Sequence, residues 1–480
     1  MTAKRSAFIF EQKSIMKNSI IKSFCLVSYF LFSISFFTKG QEPPQDLSNA
    51  LQSILDDALP VGISNSGVVM SVYVPGQWSW SGSSGYAVSG MTTGTPESMA
   101  TPYTKFRVGS ITKTFVATCI MLLEEEGTLS TEDDIDNYLR PSLINDTIMS
   151  STPVKIRHLL NHTSGIANSA DNMSCQEDVL NNPLSYYSYE DAVYCGASQG
   201  EMYPPEFAWG YSNTNYTLLA MIIEEVSGLS YADYLNMHII EPLGLENTEV
   251  PVQPEISGDY MGCYWNIGSW IDLSIIHPSI YRGWADIVST THDINSFFYN
   301  LLEGNIVSNT SLNKMKSIDP ASFDYGFGLD FYVLGDHSYY GHSGEVANSS
   351  SMFYSELNSE VAPEGYYISY NFNVQGVNMP ELIDIPVYDL LNQNLSMETQ
   401  IKKNSKVNFY PNPADTQVAL YGSHNRVKYK LIDANGKVVM SSVISSNESI
   451  DVSNIPNGNY IFSIDTDNGV DLQQLIIHHN

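Results

Sequence analysis

Phe106-Arg-Val-Gly109-Ser110-Ile111-Thr112-Lys113-Thr-Phe115-Val-Ala-Thr-Cys119-Ile-Met-Leu122-Leu-Glu-Glu-Glu-Gly127 is the stretch on which the fold of this chain turns. Ile111, Phe115, Cys119 and Leu122 recur at helical spacing, and Gly127 supplies a C-terminal stop. The spacing predicts a buried helix with Ser110 in its first turn. Ser110 and Lys113 then share one face, a turn apart. A hydroxyl beside an amine in a partly desolvated pocket is an activated nucleophile with its own proton acceptor. At a helix start the backbone N–H of Ser110 is also unpaired and able to stabilise a developing negative charge. The spacing alone is not distinctive, because Ser14/Lys17, Ser19/Lys22 and Ser311/Lys314 share it. The first two fall in an N-terminal leader, and Ser311 is read in a polar loop after Asn305, so only Ser110 has a suitable setting.

Upstream, Lys17 and Lys22 precede an apolar run from Phe24 to Phe37, followed by Thr38-Lys39-Gly40-Gln41. A basic start and an apolar core short for a membrane span predict a signal peptide over residues 1–40, cut near Gly40. Met16 is a candidate true start, and an uncleaved anchor is the alternative. Export permits disulfides. Cys119, Cys175, Cys195 and Cys263 follow the leader. Cys175 and Cys195 bracket a polar, tyrosine-rich loop and are expected to pair; Cys119 is expected as a buried free thiol. No Cys/His spacing resembles a zinc site, and no metal or cofactor is expected.

A chain of 480 residues implies roughly two to three domains. Apolar residues make up 43% and aromatics 12%, with 31 tyrosines, enough for a substantial core. Asp and Glu outnumber Lys and Arg by 52 to 22, a formal charge of -30. An acidic surface of this kind argues against nucleic acid and anionic membranes as partners.

In chain order, Asp46–Leu59 reads as an amphipathic helix and Gly67–Val74 as a strand broken by Pro75-Gly76. Separate strands near Gln77–Trp80 and Gly85–Val88 are expected to continue the meander. Beyond Gly127, helices are expected at Thr217–Val226, stopped by Gly228, and at Tyr231–Ile239, His292–Glu303 and Pro380–Asn392. Strand-like runs at Gly326–Leu334, Ser351–Tyr354 and Tyr366–Phe372 surround Tyr340-Gly341-His342-Ser343-Gly344. Strands at both ends with helices between predict an α+β fold: one sheet assembled from the two ends and a helical region inserted between them. Near residue 400 the composition changes. A polar linker (396–407) leads into alternating apolar residues and Asn-Gly turns, which predict a small β-sandwich over 408–480. The main domain is expected to span 41–395.

Phe106–Lys113, Leu159-Leu-Asn-His-Thr-Ser-Gly165, Tyr211-Ser212-Asn213 and His342-Ser343-Gly344 stand in the order found in serine β-lactamase-like enzymes, and residues 48–393 resemble that family. It holds class C β-lactamases, soluble D-alanyl-D-alanine carboxypeptidases and related esterases; the carboxypeptidase branch is the most similar. The resemblance implies a β-lactamase/transpeptidase-like antiparallel sheet with a helical region. It implies Ser110 as the acylated nucleophile, with Lys113 taking or holding its proton. Tyr211 would shuttle protons to the leaving group, its phenol pulled below the usual value of about 10 by Lys113. Asn213 would hydrogen-bond Lys113 and the substrate amide. His342, Ser343 and Gly344 would line the substrate site, and the backbone N–H groups of Ser110 and Glu345 would form the oxyanion hole.

Two departures from the family pattern bear on substrate. Glu345 stands where a small hydroxyl residue is usual, and Asp330-Phe331-Tyr332 lacks the arginine that holds a peptide's terminal carboxylate. An amide or ester without that carboxylate is therefore the expected substrate. The two function classes are an acyl-enzyme hydrolase of peptides, β-lactams or esters, and a catalytically idle protein that binds penicillins or cell-wall peptides. His162 and Ser164 are read as structural. Trp209, Trp265, Trp270 and Trp284 are read as core, with Trp209 near enough to Tyr211 to reach the pocket. Phe409–Ala414, Asp433–Lys437 and Asn457–Phe462 resemble the C-terminal sorting domain of the type 9 secretion system. That implies export through the periplasm to the cell surface or medium, with the export machinery as partner.

Overall fold

The computed structural model describes residues 41–392 and 408–479, except for 61–62, 64, 91–96, 144–147, 149, 323, 335–336, 357–358, 360, 411–415, 422–426, 433–436, 445–448, 467–468 and 478. The expected signal peptide and the 396–407 linker lie outside the described residues. The chain divides into two compact units, Met1–Asn394 and Leu395–Asn480.

The first unit opens with helix α1 (Gln45–Asp57), followed by strands β1 (Gly67–Val74), β2 (Trp78–Val88) and β3 (Ser98–Met99). A helical region comes next: α2 (Thr112–Glu125), α3 (Ile156–Leu160), α4 (Met173–Asn181), α5 (Tyr189–Ala197), α6 (Asn213–Ser227), α7 (Tyr231–Leu235), α8 (Thr291–Leu302) and α9 (Asn309–Lys316). The chain then returns to the sheet with β4 (Asp330–Leu334), β5 (His337–Gly344), β6 (Ser349–Ser355) and β7 (Tyr366–Phe372), and ends in α10 (Ile385–Asn392). The sheet runs β3-β2-β1-β7-β6-β5-β4, and every pairing is antiparallel. The first and last strands of the unit thus meet at its centre, as the placement of strands at both ends predicts.

β1 is buried at every position, because both faces of the sheet are covered. Val68, Met70, Val72 and Val74 join Leu47, Leu51 and Leu55 of α1 and Val387 and Leu391 of α10. Val69 and Tyr73, of the opposite parity, join the larger core with α2, α6 and α8. Phe115 of α2 stacks on Phe297 of α8, ring centroids 3.6 Å apart.

Three local expectations change. β2 is one strand, in unbroken register with β1 from Gly67↔Gly85 to Val74↔Trp78. Its Ser/Gly-rich middle is a packing need, since a Cβ on Gly82 would sit 2.4 Å from the Trp80 ring. The 175–195 segment is a helical hairpin rather than a loop. Asn172 caps α4 through the N–H groups of Ser174 and Cys175, and Ser188 with Asp191 forms a capping box on α5. Ser311 lies in the first turn of α9, capped by Ser308, while Lys314 turns away to Glu124 at 2.8 Å.

In the second unit, strands β8 (Asn408–Tyr410), β9 (Gln417–Tyr421), β10 (Val427–Ile432), β11 (Val438–Ile444), β12 (Ser449–Asp451), β13 (Gly458–Thr466) and β14 (Gly469–Ile477) form two sheets, β8-β9-β12 and β11-β10-β13-β14. Val418 and Ile450 from one sheet and Leu431, Phe462 and Leu475 from the other share a single core.

Candidate active site

Gly109 has φ +60, a backbone state open to glycine at little cost. It turns the chain from Val108 into a 3-10 turn, Gly109–Ile111, on which α2 is mounted. Ser110 thus precedes the α-helix by two residues, and Lys113, one turn on, is fully buried. Lys113 Nζ lies 2.9 Å from Ser110 Oγ and donates to the Trp284 carbonyl at 3.1 Å. No carboxylate ion-pairs with it among the described residues. Burial therefore drives its pKa well below that of a free lysine, with Asp330 opposing at longer range. A hydroxyl hydrogen-bonded to an uncharged amine can lose its proton to that amine as it attacks a carbonyl.

Tyr211 sits just before α6 and hydrogen-bonds Ser110. The expectation that Lys113 depresses its phenol fails. Burial pushes Tyr211 well above the free value, and Lys113 Nζ meets the ring face, 4.8 Å from its centroid. Burial is the dominant cause, and the amine over the π face does not offset it. The expected Asn213–Lys113 hydrogen bond is not formed either. Asn213 is 5% exposed, its N–H donates to Asn168 Oδ1 at 3.0 Å, and its own Oδ1 is buried without a partner.

β5 brings His342, Ser343 and Gly344 to the same place. His342 Nε2 accepts from Tyr325 Oη at 2.9 Å, and Nδ1 donates to the Ser343 carbonyl at 2.5 Å. Burial lowers the pKa of His342, with Asp330 opposing, its Oδ2 3.8 Å from Nδ1. A Cβ on Gly109 would lie 2.5 Å from the Glu345 nitrogen, and one on Gly344 would lie 2.8 Å from the Ser110 nitrogen. The two backbone N–H groups therefore meet in one corner, as an oxyanion hole requires. Three side-chain contacts hold that corner. Asn348 Nδ2 donates to the Arg107 carbonyl at 2.8 Å, and Ser350 Oγ lies 2.9 Å from the Val108 carbonyl and 3.0 Å from that of Gly344.

The Gly344→Ala variant is expected to lose about 10²-fold in kcat, the scale of a misplaced oxyanion donor. Its Cβ would meet the Val108 carbonyl at 2.1 Å, and two backbone segments must part to admit it. Ester turnover by purified variant and parent checks this, and a variant of full activity would rule out the close approach as a requirement.

Ser110, Tyr211, Asn213, His342, Ser343, Gly344 and Glu345 all line one cavity of about 590 Å³, with Asp330 beside them. Trp265 and Trp284 line it too, whereas Trp209 does not; Trp209 packs near Tyr211 at 6.5 Å between ring centroids. His162 is fully buried. Its Nδ1 accepts from the Ser212 N–H at 3.2 Å and its ring packs 4.3 Å from that of Tyr211. Ser164 Oγ donates to Asn215 at 2.8 Å, bracing the start of α6. Cys175 and Cys195 form the expected disulfide, and Cys119 is buried and free. Sequence reasoning gave no site role to Arg107, Tyr325 or Asn348, and it read Trp265 and Trp284 as core, where they line the cavity. Buried Arg107 donates to the carbonyls of Pro254, Ser274 and Ile276 at 3.1–3.3 Å. The arginine inside an apolar run was the available signal; its partners were not. No helix among the described residues is long and apolar enough to cross a membrane.

Comparison with known proteins agrees with this arrangement. The family profile described as Beta-lactamase matches residues 57–392, and that of the Secretion system C-terminal sorting domain matches 408–478. Penicillin-binding protein 4* of Bacillus subtilis (strain 168) is 31% identical over 255 residues, covering 46% of this chain. The chain spans about half of that relative's length, 51%. Among solved structures, a D-stereospecific amidohydrolase from Streptomyces sp. superposes with a TM-score of 0.61 at 26% identity, over 71% of this chain and 98% of its own. The D-amino acid amidase from Ochrobactrum anthropi SV3, complexed with L-phenylalanine amide, gives 0.59 at 27% identity, over 72% and 97%. The C-terminal match indicates secretion or cell-surface export. A Ser-x-x-Lys pair under an antiparallel sheet, a profile over most of the chain and a fold shared with two amidases along nearly their whole length place this chain in the β-lactamase family of serine hydrolases.

Proposed function

We propose that the protein is an exported hydrolase that cleaves an amide or ester through an acyl-enzyme on Ser110. The observation that carries this is the 2.9 Å contact between Ser110 Oγ and a buried Lys113 whose pKa is held down, at the wall of an open cavity. Ser110 Oγ attacks the substrate carbonyl and its proton passes to Lys113 Nζ. The N–H groups of Ser110 and Glu345 hold the oxyanion. Tyr211 enters as a neutral phenol, gives its proton to the leaving nitrogen or oxygen, and is reprotonated from Lys113. Water then attacks the ester, giving up its proton to Lys113, which passes it to the departing Ser110 Oγ as the acid product is released. Asn213 Oδ1 is free to accept from a substrate N–H.

The substrate reading is an amide or ester whose leaving group bears no carboxylate. Asp330 occupies the strand position from which a carboxypeptidase arginine would act, and Glu345 lies exposed at the rim. The two amidase structures support an amide of this kind. The unmade Asn213–Lys113 bond favours the second reading, a protein that binds such ligands without turning them over.

Incubation with a reactive β-lactam followed by mass spectrometry separates the two. A stable adduct on the peptide containing Ser110, absent from Ser110→Ala, is expected. No adduct together with no ester turnover would leave only binding. Release of D-Ala from a D-Ala-D-Ala-terminated peptide is expected to be slow, and efficient release would refute the argument from Asp330 and Glu345.

A further inference from the structure

The polar groups facing the cavity are one-sided. Among the described residues, the acidic side chains of the lining are Asp330 and Glu345, and no Lys or Arg lines it. The nearest basic groups do not compensate, since burial holds both Lys113 and His342 toward their uncharged forms. The acceptors are unequally served. The Glu345 carboxylate already receives Gln375 Nε2 at 3.1 Å and Ser349 Oγ at 3.4 Å. Asp330 has the Ser343 N–H and, 3.8 Å away, His342 Nδ1, while 31% of its side chain faces the open cavity. Asn213, which also lines the cavity, keeps a buried Oδ1 with no partner. A lining with spare acceptors and no cation calls for a ligand rich in N–H donors and positively charged.

Much of the remaining wall is apolar. Val179 and Leu180 of α4, Trp265, Leu273 and the Cys175–Cys195 bridge face the cavity and belong to two small apolar clusters that the α4–α5 hairpin brings against the 263–280 segment. The disulfide fixes this wall, because it ties the first turn of α4 to the last turn of α5. Desolvating a large apolar group there adds binding free energy in proportion to the area covered.

We propose that the cavity selects an acyl donor carrying both an unblocked amino group and a bulky apolar side chain, the ammonium against Asp330 and the side chain against the disulfide-braced wall. This rests on the acyl-enzyme reading of Ser110 and names its substrate class. Burial opposes the charge on Asp330, and an ammonium beside it favours the carboxylate form by supplying the opposite charge.

The experiment uses the full chain and matched p-nitroanilides of phenylalanine in both enantiomers, each with a free or an acetylated amino group, with p-nitrophenyl acetate as a neutral reference. For the preferred enantiomer, the free amine is expected to exceed the acetylated compound at least tenfold in kcat/KM, the difference lying mainly in KM. Alanine p-nitroanilide is expected to fall below phenylalanine by a similar factor. Asp330→Asn is expected to collapse the free-to-acetylated ratio toward one. A ratio of one or below in the parent overturns the proposal, as does a ratio that Asp330→Asn leaves unchanged. Turnover of p-nitrophenyl acetate that depends on Ser110 but comes with no amine preference overturns this proposal alone. Absence of turnover on every substrate overturns it together with the acyl-enzyme reading.

Discussion

Ser110→Ala is expected to lower ester turnover on the order of 10⁴-fold or more, the scale seen when the nucleophile is removed from a catalytic unit that acts together. The variant keeps the cavity, the two converging N–H groups and Lys113, so whatever rate remains is what binding and oxyanion stabilisation supply without a covalent step. It should fold as well as the parent. Ser110 is only half-buried, and losing its hydroxyl removes one partner from Lys113 while the Trp284 carbonyl still receives that amine at 3.1 Å. Catalytic groups held in partly unsatisfied positions commonly cost stability, so a melting temperature equal to or above the parent's is the expected control. Hydrolysis of p-nitrophenyl acetate by both proteins gives the measurement. A variant that keeps a tenth of the parent rate would remove Ser110 from the chemistry and shift attention to another hydroxyl of the lining, such as Ser343.

The parts of the fold that could be read in the sequence are those whose apolar residues repeat with one period over a whole element. β1 alternates between two cores, and Ile111 of the 3-10 turn with Phe115, Cys119 and Leu122 of α2 run down one side. Sequence therefore located the Ser110/Lys113 pair, because it leads into such an element. The α4–α5 hairpin could not be found that way. α4 has no fully buried residue, so no periodic stripe marks it, and only its cap and the capping box on α5 announced helices. The unbroken β2 was hidden for the opposite reason. Its serines and glycines look like a turn but serve the Trp80 ring and α1.

Within the site, types and order were legible while contacts were not. The Tyr211 phenol and the Asn213 oxygen depend on where Lys113 points, and it points at Ser110 and the Trp284 carbonyl, 171 residues further along the chain. Arg107 depends likewise on carbonyls at positions 254, 274 and 276. No local pattern encodes such pairings; packing of the whole helical region against the sheet creates them.

Lys113→Met is the second large loss to expect, about 10²- to 10⁴-fold in acylation, the usual contribution of a positioned general base. Methionine fills much the same space, so the loss reports the amine rather than a cavity. The pH dependence gives a sharper test. Burial lowers the pKa of Lys113, so the base is uncharged above that lowered value and protonated below it. The parent's kcat/KM should therefore rise with pH through this titration to a plateau, and Lys113→Met should show no such rise. Stability changes in the same direction. Between the lowered native pKa and the unfolded value of about 10.4, the unfolded chain binds a proton that the native protein does not, so this group makes the fold more stable as pH increases. Removing the amine should erase that increment, and at pH values near neutrality the variant should be the more stable of the two, because no buried amine has to shed its proton on folding. Thermal denaturation of both proteins from pH 6 to 9 measures the difference. If the gap between them stays constant across that range, Lys113 is charged in the folded protein. The proton would then have to leave Ser110 by another route, and Tyr211, hydrogen-bonded to the same oxygen, could take it only after losing its own.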